Sequence, residues 1–108
     1  FVQLENSLSA YEFVSSGSGL ALAARRDVVE ILNQSTLFPS SGYEFAWRYP
    51  LSAQLIWTCG EAYTEFEMIN VHFKCCNDGF ERRLVASEIL SDYINEKSLL
   101  DLKCQSSW

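Results

Sequence analysis

No stretch of this 108-residue chain is apolar for long enough to cross a bilayer as a helix. A span needs roughly 18 such residues, and the longest early apolar run, residues 20–24, has five. Basic charge is also scarce, with 8 Lys and Arg against 14 Asp and Glu and a net charge of −6. That field repels a phosphate backbone, and the doublets Arg25-Arg26 and Arg82-Arg83 are too short to make a patch, so no nucleic-acid partner is expected. One histidine, His72, leaves little hydrolytic machinery unless it is itself the base. The loop Ser15-Ser16-Gly17-Ser18-Gly19 lacks the lysine of a phosphate-binding loop, and no Gly-x-Gly-x-x-Gly fingerprint occurs. Paired Cys-x-x-Cys spacing is missing as well, so neither a cofactor nor a metal is expected.

Apolar and aromatic residues are plentiful. The hydrophobic fraction is 48% against 20% charged, and seven Phe, five Tyr and three Trp supply large side chains to bury. The length suits one domain, 1–108. Residues 43–49 put aromatics at every odd position, a period of two that predicts a half-buried strand stopped by Pro50. Residues 53–59 read as its hairpin partner. A third strand is expected over 63–74, with a bulge near Met68-Ile69 to align its apolar face and Glu65, Glu67, Asn70, His72 and Lys74 turned outward. Helical spacing predicts a helix over 20–34, and another over 79–97 with Asp78 and Glu81 as its capping box. Short strands are expected at 10–14 and 100–104. The order is β-α-β-β-β-α-β. It implies an α+β fold with one mostly antiparallel sheet, a ferredoxin-like split β-α-β variant with both helices on one face.

Cys59, Cys75, Cys76 and Cys104 make an even set. The chain begins with Phe1 rather than Met, from which removal of a leading segment and export are expected. In an oxidising compartment four cysteines form two disulfides. Adjacent Cys75 and Cys76 are expected to reach away from each other, to Cys59 and Cys104 in either combination. Export also gives meaning to Asn33-Gln34-Ser35, an N-glycosylation acceptor.

These features point to a small secreted, disulfide-stabilised binding protein of toxin or effector type, with a protein partner met at Glu65, Glu67, His72 and Lys74. No catalytic residue is assigned. Two other readings fit the composition. One is an intracellular, cytoplasmic acidic inhibitor or immunity-type protein masking a basic site. The other is a small hydrolase using Glu65, Glu67 or His72. Glu65 and Glu67 lie about 7 Å apart along an extended strand, a spacing compatible with paired carboxylates.

Overall fold

The first half of the chain folds as paired strands and turns rather than around a helix. The computed structural model describes residues 9–17 and 19–106, with side chains as far as residue 97. β1 (Tyr11–Ser15) and β2 (Ala21–Arg25) form an antiparallel hairpin, in register from Tyr11 opposite Arg25 to Ser15 opposite Ala21. Its loop is closed by the Ser16 amide donating to the Leu20 carbonyl at 2.8 Å, and Gly19 takes a φ of 87° that favours glycine. A short link follows, in which the Arg26 amide donates to the Ala10 carbonyl at 2.9 Å and Arg25 pairs with Asp27. β3 (Val29–Thr36) then runs antiparallel to β4 (Leu51–Cys59).

The helix expected over 20–34 is therefore replaced by β2 and β3. Leu20, Ala24, Val28, Ile31 and Leu32 do recur at helical spacing. However, the branched side chains of Val28, Val29, Ile31 and Thr36 restrict χ1 and favour a pleated surface. Arg26 and Asp27 also break the segment where the chain reverses.

The strand expected over 43–49 is also overturned. Those residues form a succession of turns, with the amides of Phe45, Ala46, Trp47 and Arg48 donating to the carbonyls of Ser41, Tyr43, Gly42 and Phe45. Ala46 and Trp47 adopt left-handed φ values of 53° and 62°. The coil closes on Gly42, where a Cβ would collide with the Trp47 indole and lie 2.8 Å from the Tyr49 hydroxyl oxygen. Alternating aromatics thus do not make a band beneath a sheet. Phe45 is fully buried, but Tyr43 and Trp47 are 59% and 64% exposed.

The hairpin expected between 43–49 and 53–59 is absent with the first of those strands; β4 pairs with β3 and, in unbroken register from Leu51 opposite Asn70 to Cys59 opposite Ala62, with β5 (Ala62–Asn70). Gly60, with a φ of 64°, makes the turn. The bulge expected at 68–69 is not there. The register slips instead in β3, between Ile31 and Asn33. β5 ends at Asn70, short of the expected Lys74, and the Asn70 side-chain amide donates to the Ala21 carbonyl at 2.9 Å. That bond ties the first hairpin to the larger sheet.

After a 3₁₀ turn at Asn77–Gly79, α1 (Phe80–Ser106) continues to the end of the described chain. It absorbs residues 100–104, expected as a last strand. Neither Gly nor Pro occurs from residue 80 to residue 106 to stop it. Asp78 lies inside the 3₁₀ turn, its carboxylate 3.8 Å from Lys74 Nζ. The α+β class stands, but the single sheet with two helices on one face does not. Among the described residues there is a two-stranded sheet, β1-β2, a three-stranded sheet, β3-β4-β5, and a single α-helix. No helix of the described residues is long and apolar enough to cross a membrane.

The core is small, which follows from two sheets sharing few residues. Leu51, Ala53 and Leu55 are buried on one face of β4, and Leu20 beside the first hairpin and Ala86 of α1 are buried as well. A second centre is aromatic. The Phe45 ring stacks on Phe38 at 5.4 Å and on Phe73 at 6.3 Å, and Phe38 meets Tyr93 of α1 edge-on at 5.5 Å. These offset and edge contacts join the coiled loop, the segment after β5 and the helix.

Candidate functional site

Unbroken pairing of β4 with β5 decides which side chains share a face. Residues opposite each other in an antiparallel pair project to the same side. Ser52, Gln54 and Ile56 therefore share a face with Ile69, Glu67 and Glu65. This face, with α1 beside it, bounds an open cleft of about 500 Å³, lined by Gln54, Glu65, Glu67, Ile69, Tyr93 and Lys97.

The best-ordered chemistry in the cleft converges on one carboxylate oxygen. Glu67 Oε2 accepts a hydrogen bond from the Tyr93 hydroxyl at 2.6 Å and another from the Ser52 hydroxyl. Hydrogen bonds to an ionised acceptor are short and strong, so a strand, its neighbour and the helix are tied together here. The Tyr93 phenol is pushed up to about 12, first by its removal from water, then by its bond to Glu67 and the negative charge there. Its hydroxyl therefore stays a donor at neutral pH. Lys97 Nζ sits 5.4 Å from the centre of the Tyr93 ring, within cation–π range. The cleft thus carries two carboxylates from the sheet and an aromatic face and one ammonium from the helix.

The four residues expected to form one recognition surface are divided. Glu65 and Glu67 share a face of β5 and line the cleft, as their spacing required. Glu67 is half-buried rather than outward, because without a bulge at 68–69 its parity follows Ile69. His72 is exposed beyond the end of β5. Lys74 belongs to the approach to the helix, paired with Asp78, and its carbonyl accepts from Arg83 at 2.7 Å. Asn33 is exposed on β3 just after the bulge, rather than at a helix end.

The cysteines depart from the expected pairing. Cys75 and Cys76 are bonded to each other, and Cys59 is a free, exposed thiol at the end of β4. The Cys104 side chain lies outside the described residues. Consecutive cysteines close no chain loop of useful length, so this bond cannot staple distant segments as two long-range bridges would. Among the described residues, no group of three or more His, Cys, Asp and Glu is placed to hold a metal ion.

Ser52, Gln54, Tyr93 and Lys97 were not identifiable as site residues from the sequence. Ser52 and Gln54 acquire their role only through the register with β5. Tyr93 and Lys97 are one helical turn apart, an (i, i+4) pair, but nothing in the sequence aims that pair at Glu67. Ser52 is 2% exposed, so its hydroxyl is closed to substrate. The array acts as a fixed acceptor and donor set rather than as an accessible nucleophile. No protein-family model matches the chain, and neither the curated proteins nor the solved structures provide a match.

Proposed function

We propose that this is a small binding protein that takes a basic side chain of a protein partner into the cleft between β5 and α1. The observation that carries this reading is the placement of Glu65 and Glu67 beside the Tyr93 ring in an open cleft. Carboxylates and an aromatic face together recognise an ammonium or guanidinium group. Lys97 lies over the same ring within cation–π range, so the ring face is accessible to a cation. The net charge of −6 steers basic partners toward the chain and speeds encounter at low salt.

Such a binding protein is of the exported toxin or effector type, and the Cys75–Cys76 bond, which an oxidising compartment preserves, supports that location. A cytoplasmic inhibitor masking a basic site would use the same cleft chemistry. Reduced Cys75 and Cys76 in protein taken directly from its source would favour it. The hydrolase reading draws less support. Ser52 is buried, and one oxygen of Glu67 is occupied by two donors.

The test is fluorescence anisotropy with a labelled arginine- and lysine-rich peptide, titrated with protein at low and moderate salt. Glu65→Gln leaves the Ser52–Glu67–Tyr93 array intact. We expect it to weaken binding by about tenfold, the scale of one desolvated charge-assisted contact. Equal affinity of the wild type and Glu65→Gln at both salt concentrations would remove the cleft as the binding site.

A further inference from the structure

The joined cysteines lie in the link between the sheet and the helix. β5 ends at Asn70 and α1 begins at Phe80, so residues 71–79 carry the chain from sheet to helix, and Phe73 within them is anchored against Phe45. Within that link Cys76 has a φ of 77° and a ψ of 172°, a region that residues with a Cβ rarely occupy. The turned backbone presents its carbonyl to two donors: Arg83 Nη1 at 2.7 Å and the Gly79 amide at 3.1 Å. The same Arg83 nitrogen donates to the Lys74 carbonyl at 2.7 Å. A side chain on the first turn of α1 therefore clamps both flanks of the cysteine pair. Gly79 is buried, and a Cβ there would lie 3.2 Å from the Lys74 carbonyl oxygen, so the link is folded tightly on itself. Both cysteines are exposed and open to a reductant.

We propose that the Cys75–Cys76 bond is a reversible redox latch that holds the start of α1 against the end of the sheet. In the closed form the bond between neighbouring side chains restricts the peptide that joins them and keeps Cys76 in its left-handed conformation. The reductant is a low-molecular-weight thiol. Its thiolate attacks one sulfur and breaks the Cys75–Cys76 bond, giving a mixed disulfide and releasing the other cysteine as a thiolate. A second thiol then displaces the first as an external disulfide. Two electrons and two protons end on Cys75 and Cys76, and the two reductant thiols are oxidised to one disulfide. Once reduced, Cys76 relaxes to ordinary extended backbone, its carbonyl leaves Arg83 and Gly79, and the first turns of α1 lose their anchor. This behaviour is independent of what the cleft binds.

Hydrogen exchange on the full chain, read by mass spectrometry with and without dithiothreitol, tests the latch. Alkylation after each treatment, followed by trypsin, isolates residues 75–82 as one peptide. That peptide should resist alkylation before reduction and take two alkyl groups after it. In the reduced protein the amides of residues 84–88 should exchange about tenfold faster or more, as in a local opening, while β4 keeps its protection. The Cys75→Ser/Cys76→Ser variant should match the reduced protein without any reductant. Alkylation of both cysteines in unreduced protein would overturn the proposal. So would equal helix exchange in the two forms, or loss of protection throughout β4.

Discussion

Glu67 and Tyr93, 26 residues apart, meet at 2.6 Å, and this contact fixes the middle of the helix to the edge of the three-stranded sheet. Ser52 supplies the second donor to the same oxygen. The three side chains are separated in sequence yet behave as one polar joint, and the cleft exists because that joint holds its two walls.

The joint gives the protein a defined response to alkaline pH. Tyr93 ionises near 12 in the folded chain and near 10 when unfolded, so the folded state favours the protonated phenol. This contribution is complete below pH 10 and is lost as pH rises toward 12. Denaturant midpoints for the wild type should fall across that window, whereas Tyr93→Phe should fall less steeply. At neutral pH Tyr93→Phe should be destabilised by about 1–2 kcal/mol, since a bond to a charged acceptor is lost in a partly solvated cleft. An unchanged midpoint in Tyr93→Phe at pH 7 would show that the contact contributes nothing.

The aromatic loop supplies a contrast between neighbouring rings. Phe45 is fully buried between Phe38 and Phe73, whereas Tyr43 is 59% exposed with the Arg82 guanidinium over its ring. Phe45→Ala should cost about 3–5 kcal/mol, a large share of the stability of a domain this size. Tyr43→Ala should cost about 1 kcal/mol or less, the scale of an exposed cation–π contact. Thermal melts followed by near-ultraviolet circular dichroism would show the difference. Equal losses from the two substitutions would contradict the turn over residues 43–49 and restore a two-faced strand.

Gly42 is required for its missing side chain. The space a Cβ would occupy is filled by the Trp47 indole and the Tyr49 hydroxyl. Gly42→Ala should therefore destabilise by about 1–3 kcal/mol through overpacking and shift Trp47 fluorescence as its ring is displaced. A silent spectrum together with an unchanged melting temperature would mean that the loop does not close on this residue.

Legibility of the sequence varied along the chain. Residues 51–70 could be read because Gly60 breaks two runs of apolar and branched residues at a single point. Even so, the slip in apparent parity at Met68-Ile69 predicts a bulge, and a bulge there puts Glu67 on the wrong face. In fact Met68 is exposed on the opposite face, where an apolar residue is tolerated without a compensating irregularity. Residues 20–34 misled because five apolar positions satisfied a helical period while branched residues favoured pleating. Residues 43–49 misled for a different reason. Period-two spacing records which residues are aromatic, not whether a wall exists to receive them, and a turn burying Phe45 alone satisfies the same string. The cleft was half visible, through Glu65 and Glu67. Its other wall, Tyr93 and Lys97, lies within the helix expected over 79–97, but its orientation toward β5 is set by long-range contacts.

The irregularity in β3 has a consequence for solubility. β3 forms one rim of the three-stranded sheet, and a straight rim offers a row of unsatisfied amides and carbonyls to any neighbouring molecule. The extra residue between Ile31 and Asn33 disrupts that row and increases the local twist, so a second copy cannot lie flat along it. A chain with Leu32, Trp57 and Met68 exposed would otherwise risk growing by strand addition, and one misaligned residue acts as its guard.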